Sequence, residues 1–98
     1  MTVIHVLNET TFEWDDQKAA SNLRTHGVKF EDAAQTFFDP FARFGDASPP
    51  HEKREYIVGY TFDRDLLYTV YVERGLNVRI VSARQATSQE RRKYEQGT

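Results

Sequence analysis

The 98-residue chain contains no cysteine. That excludes disulfides, thiolate metal sites and a cysteine nucleophile, and it suits a reducing compartment. Apolar runs extend only a few residues, far short of the ~20 needed to span a bilayer, so no membrane partner is expected. The opening Met1-Thr2-Val3-Ile4-His5 lacks the basic start and long apolar core of a signal peptide, which predicts a cytoplasmic protein. Histidines stand only at 5, 26 and 51, without HxxxH or HxH spacing, and no glycine-rich phosphate loop occurs. The expectation is therefore no metal and no cofactor. Ser82 has no glycine elbow around it, so a serine-hydrolase reading has no support. No internal repeat or low-complexity tract is present.

What is present suffices for one small folded domain over residues 1–98, since 39% of the chain is hydrophobic and 13% aromatic. Val3 to Leu7 and Thr10 to Trp14 have strand chemistry, with Asn8-Glu9 as the turn of a hairpin. His5, flanked by apolar residues, reads as structural or simply exposed. Asp15 has the chemistry of an N-cap for a helix over about 16–25, whose apolar stripe is Ala19, Ala20 and Leu23 and whose end is marked by His26-Gly27. A second helix is predicted over about 31–38, stopped by Asp39-Pro40. Phe41 to Phe44 reads as a short strand, 45–53 as a loop, and Arg54 to Phe62 as a strand with Tyr56, Val58, Tyr60 and Phe62 on one face.

The most organised stretch is Leu66 to Tyr94. LLYTVYVE and VRIVSA are β-branched and aromatic runs, and Arg74-Gly75-Leu76-Asn77 between them has hairpin length. Thr87-Ser88-Gln89-Glu90 then has the form of a capping box, predicting a final helix from about Ser88. Short turns between consecutive strands imply antiparallel neighbours. The predicted fold is α+β: an antiparallel sheet of about four to five strands, two N-terminal helices and a C-terminal helix, with the helices on one sheet face. Charge sets the same stretch apart. Residues 74–94 carry six basic residues and one acid, a net of +5, while the whole chain is −2, leaving −7 elsewhere. A local basic region on an acidic domain is the footprint of a surface that meets phosphate, or else a set of merely solvated arginines.

Phe12-Glu13-Trp14-Asp15, Lys18, Asn22, His26-Gly27-Val28, Phe30-Glu31, Ala33-Ala34, Phe37 and Asp39-Pro40 together resemble the opening of the BrnT family. Glu52, Arg54, Gly59, Tyr71, Glu73-Arg74, Arg79-Ile80-Val81-Ser82-Ala83-Arg84, Ala86-Thr87, Glu90-Arg91 and Tyr94 continue the resemblance in register, over about residues 12–95. Two departures are Lys29, where a capping residue is usual, and Glu55, where an apolar one is; residues 1–11 precede the resemblance. The resemblance implies a RelE-like fold and a ribonuclease toxin of a type II toxin–antitoxin system, cutting RNA without metal and inhibiting translation. It also implies neutralisation by a small BrnA-like antitoxin, through which alone the complex would bind and repress its operator DNA.

Metal-free RNA cleavage needs a base for the 2′-hydroxyl, cations for the charge at phosphorus and an acid for the leaving oxygen. Arginine suits the second role, with a planar, permanently charged fork. Arg79, Arg84 and Arg54 are the candidates for phosphate binding and transition-state stabilisation; the competing reading pairs them with Glu73 or Glu55. His26 is a candidate proton-transfer residue, or a cation complementing a helix end. Lys18, Arg74, Arg91, Arg92 and Tyr60 are candidate RNA contacts, the tyrosine by stacking. A catalytically silent module of the same fold, binding RNA or only its partner, is the alternative. A DNA-binding regulator lacks a helix–turn–helix pattern.

Overall fold

A computed structural model describes residues 1–97. Six strands form one sheet in the order β1-β2-β6-β5-β4-β3: β1 Thr2–Leu7, β2 Thr10–Asp15, β3 Arg43–Asp46, β4 Glu55–Tyr60, β5 Leu66–Arg74 and β6 Asn77–Gln85. The helices are α1 Asp16–His26, α2 Phe30–Gln35 and α3 Ser88–Gln96, with a 3₁₀ turn over Thr36–Phe38.

Two features correct the predicted sheet. It has six strands rather than four or five, and it is mixed, because β2 pairs with β6 in parallel through Phe12↔Val78 and Glu13↔Arg79. All other neighbours are antiparallel. Parallel pairing joins strands remote in sequence, here through α1, α2 and the three strands β3 to β5, and leaves no local turn signature. The short third strand lies two residues later than predicted, and the second helix closes as a 3₁₀ turn.

Local chemistry explains the helices. The Asp15 carboxylate accepts from the Lys18 N–H at 3.1 Å, and Gly27 ends α1 with φ of 69°. Only glycine takes that left-handed conformation without a Cβ penalty. The predicted capping box on α3 is formed, with Thr87 N–H donating to Glu90 at 2.9 Å and Glu90 N–H donating to the Thr87 hydroxyl at 3.1 Å. Lys29 supplies no side-chain cap to α2. The predicted apolar stripe of α1 is corrected: Ala20 and Leu23 are exposed, and the buried residue is Asn22.

The core lies between one face of the sheet and α1–α2. Phe12, Trp14, Leu67, Ile80 and Ala83 rise from the strands against Val28, Phe30, Ala33 and Ala34. Trp14 meets Phe30 edge-on with centroids 5.7 Å apart, and Phe37 bridges Phe12 and Tyr71 at 5.2 and 4.9 Å. The expectation that all helices share this face does not hold. α3 crosses the opposite face over β4, has no buried residue, and is held by polar and aromatic-edge contacts. A helix this polar has no apolar stripe to bury in the core. Among the described residues, no helix is long and apolar enough to cross a membrane.

Candidate nucleic-acid interface

The sheet face turned away from α1–α2 carries most of the basic side chains singled out in the sequence. Alternation places residues an odd number apart on opposite faces of a strand. Arg79 and Arg84 are five apart, yet both emerge here. The register steps from Val70↔Ser82 to Tyr71↔Ile80, so Val81 is an extra, bulged residue. Arg79 therefore lies beside Val72 and Arg84 beside Tyr68, two positions of one phase on β5. Arg54, immediately before β4, shares that face and lines a small hollow with Val72. Val72 and Tyr68 are four residues apart, so the two β6 arginines are separated along the strand by about 13 Å.

Each arginine is tied to a carboxylate, but not to the ones predicted. Glu13 of β2, only 7% exposed, accepts from Arg79 at 2.7 Å, from Asn77 at 3.1 Å and from Arg74 at 3.4 Å. These donors, Asn77 and Arg79 foremost, hold the Glu13 carboxyl below its usual range despite burial. The predicted partner Glu73 instead lies opposite Val78, and Glu55 accepts from the Tyr71 hydroxyl at 3.4 Å. Burial and Glu55 push that phenol up to about 12. Arg54 is forked onto Glu52 through Nε and a terminal nitrogen at 3.0 and 2.7 Å.

Arg84 is the most constrained. Both terminal nitrogens meet the two oxygens of Glu90 at 2.8 and 3.0 Å, and its guanidinium lies 4.2 Å from the centre of the Tyr68 ring. Tyr68 stacks on Tyr56 at 5.0 Å, and the far side of the Tyr56 ring lies over Gly45, where a Cβ would collide with it. Hydrogen bonding with Glu90 raises the Arg84 pKa, and the same pairing lowers that of Glu90.

Between this row and α3 lies a cleft of about 670 Å³. Arg43, Tyr56, Tyr68, Glu90, Lys93 and Tyr94 are among its walls. Arg43 Nε is buried without a hydrogen-bond partner, and the Arg43 and Lys93 side chains bring cationic charge to the cleft walls. Tyr94 donates to Asp39 at 2.7 Å, which also accepts from the Tyr60 N–H at 2.8 Å; burial and the Asp39 carboxylate raise the Tyr94 phenol. Tyr60 receives a hydrogen bond from Arg91 at 3.3 Å, is met edge-on by Tyr94 at 5.3 Å, and has the Arg64 guanidinium 5.6 Å from its ring centre. Arg92 is exposed on α3.

Lys18 and His26 stand apart from this face. They line a separate hollow on α1 with Ser21, Asn22, Thr25 and the bulged Val81. The eight-residue spacing does bring them to one side of the helix, but no hydrogen bond joins either to the arginines among the described residues. Asn22, from that helix, donates to the Ala83 and Val28 carbonyls at 2.8 and 3.0 Å and accepts from the Ala83 N–H at 3.0 Å. It thus substitutes for a strand neighbour where β2 has already left β6. Glu13, Asn22, Arg43 and Lys93 were not among the sequence candidates. A glutamate and an asparagine inside strand and helix patterns were signals for the first two, and Lys93 belongs to the basic stretch 74–94; Arg43 carries none. Among the described residues, no group of three His, Cys, Asp or Glu side chains is placed to hold a metal ion.

A mixed six-stranded sheet, with α1 and α2 packed on one side and α3 beside carboxylate-tethered arginines on the other, defines a small α+β protein with a face suited to an anionic polymer. The model of the BrnT ribonuclease toxins of type II toxin–antitoxin systems matches residues 14–90, and the chain belongs to that family. The crystal structure of the Brucella abortus ribonuclease toxin BrnT aligns with a TM-score of 0.59 at 20% identity, over 76% of this chain and 94% of that one. At that identity the likeness concerns the fold. No curated protein matches the chain.

Proposed function

We propose that this chain is an endoribonuclease toxin that cleaves RNA without metal in the cytoplasm and thereby inhibits translation. The observation that carries the reading is Arg79, fixed through one nitrogen to buried Glu13 and only partly exposed on the open sheet face, with Arg74 on the same carboxylate. Its remaining N–H donors are left for phosphate oxygens. Arg79 is the phosphate anchor, and Arg84 joins it when RNA exchanges with Glu90. Arg54, Arg91, Arg92 and Lys93 extend the charge along the chain's path. In the reaction the 2′-oxygen attacks phosphorus as the bond to the 5′-oxygen breaks, giving a 2′,3′-cyclic phosphate and a 5′-hydroxyl. The arginines offset the charge on the phosphoryl oxygens in the transition state. His26 and Lys18 lie on the helix layer, so the proposal assigns them to outlying RNA contact rather than to the reacting centre.

A BrnA-like antitoxin neutralises the toxin, and the complex represses its own operator through the antitoxin. The type II family supports a protein antitoxin; the operator step follows the reading of the family resemblance.

The test is RNA cleavage in EDTA. Wild-type protein cuts with cyclic-phosphate ends, whereas Arg79→Ala together with Arg84→Ala loses cleavage and no longer arrests growth. Equal activity of the two proteins, or activity abolished by chelation, overturns the proposal. A catalytically silent RNA-binding or partner-binding module is the second reading, favoured by the engagement of Arg84 and Arg54 with glutamates. It predicts RNA retention without new ends, or no RNA retention at all.

A further inference from the structure

β1 is a free edge of the sheet, and it lies outside residues 14–90 that match the family model. Its hydrogen-bonding phase follows from the hairpin. Asn8 and Glu9 both have positive φ, 48° and 66°, as a two-residue type I′ turn requires. Leu7 and Thr10 are then a pair that exchanges hydrogen bonds, and alternation extends this to His5 and Val3. The Asp16 N–H, donating to the Met1 carbonyl at 3.0 Å, continues the same phase. Thr2, Ile4 and Val6 consequently direct their backbone N–H and C=O groups outward, away from β2.

The same three residues project from the open face, where Ile4 is 58% and Val6 63% exposed. Edge strands ordinarily discourage pairing with a lysine, a proline, an inward charge or a bulge. The segment TVIHVL has none of these, and β1 pairs with β2 without a register break.

We propose that a second copy of this chain pairs with β1 in antiparallel register, with Ile4 opposite its own counterpart on the two-fold axis. Thr2 then faces Val6 of the second copy, and Val6 its Thr2. This register satisfies the outward backbone groups of all three residues and joins their side chains into one apolar row. A strand free of carboxylates and of lysine or arginine meets itself without repulsion, which favours a copy over a basic partner. An isologous contact of this kind also closes and does not propagate. Because the axis of an antiparallel strand pair stands perpendicular to the sheet, both arginine-bearing faces look the same way. Five strand spacings separate the two Arg79 positions, about 24 Å.

Sedimentation of the full chain over a concentration series tests this, independently of any nuclease activity. The wild-type protein is expected to show a monomer–dimer equilibrium. Ile4→Lys, which sets like charges opposite each other, weakens it at least tenfold, while Leu76→Lys at a fully exposed turn position leaves it unchanged. Because the chain has no cysteine, Ile4→Cys and Leu76→Cys provide a second readout; under mild oxidation only the first should become a disulfide-linked dimer quickly. A protein that is monomeric throughout its soluble range overturns the proposal. So does a dimer indifferent to Ile4→Lys, or an edge that pairs only when a different chain supplies the strand.

Discussion

Glu90 holds Arg84 with both carboxylate oxygens, at 2.8 and 3.0 Å, while also closing the capping box that starts α3. One side chain thus anchors a helix to the sheet and occupies the arginine fork that an RNA phosphate would need. Exposed pairs contribute little, but this one is partly buried and has two-point geometry.

Glu90→Ala should therefore have two separable effects. Loss of the box costs about 1 kcal/mol and lowers the unfolding midpoint by a few degrees. RNA binding should tighten several-fold, because Arg84 no longer exchanges partners. Calorimetric melting and titration with a non-cleavable 2′-deoxy oligonucleotide measure the two. Unchanged or weaker binding would show that Arg84 does not meet the phosphate.

Asn22→Ala removes three buried hydrogen bonds, two that hold β6 to α1 through Ala83 and one to the Val28 carbonyl beyond the end of α1. At about 1 kcal/mol for each bond, with an added cost for stranded backbone groups, the loss is about 3–5 kcal/mol. Denaturant unfolding reads it directly. Leu23→Ala, one position along but 43% exposed, should cost far less.

Glu9→Gly is expected to stabilise the protein. Glu9 sits at φ of 66°, where a side chain costs about 1–2 kcal/mol, a penalty glycine does not carry. Greater freedom of the unfolded chain offsets part of the gain, so a net rise of about 0.5–1 kcal/mol is expected. A lower stability would mean that the hairpin turn is not the one described.

Glu13 and Glu90 both titrate below the ordinary glutamate value of 4.5. Depressed folded-state values mean that their contribution is complete above pH 4.5 and is lost as pH falls through the lower values. Stability should accordingly decline on acidification below pH 4.5, and Glu13→Gln should flatten part of that decline. Denaturant midpoints measured from pH 6 down to pH 3 would show it. An identical slope for wild type and variant would remove Glu13 from the account.

Much of the fold was legible in the chain because its signals are local. The Asp15 and Thr87 caps, Gly27, the two hairpin turns and the face shared by Tyr56, Val58 and Tyr60 each depend on residues a few positions apart. The candidate site was less legible. Alternation by itself assigns Arg79 and Arg84 to opposite faces, and only the bulge at Val81 brings them together. Glu73 lies nearer to Arg79 in sequence, yet Glu13 from a strand 66 positions away is its partner.

The sequence by itself determined where most helices and strands begin and end, which residues cap them, and that positive charge gathers after residue 73. Caps, turns and alternation act within a few residues, so their physics is written in neighbours. Tertiary structure alone decided the parallel β2–β6 pairing, the placement of α3 across the face opposite α1–α2, and the pairing of Arg79 with Glu13. Those outcomes depend on how distant segments share one core, on a single inserted strand residue, and on which buried carboxylate finds donors. No pattern confined to one stretch of chain carries that information.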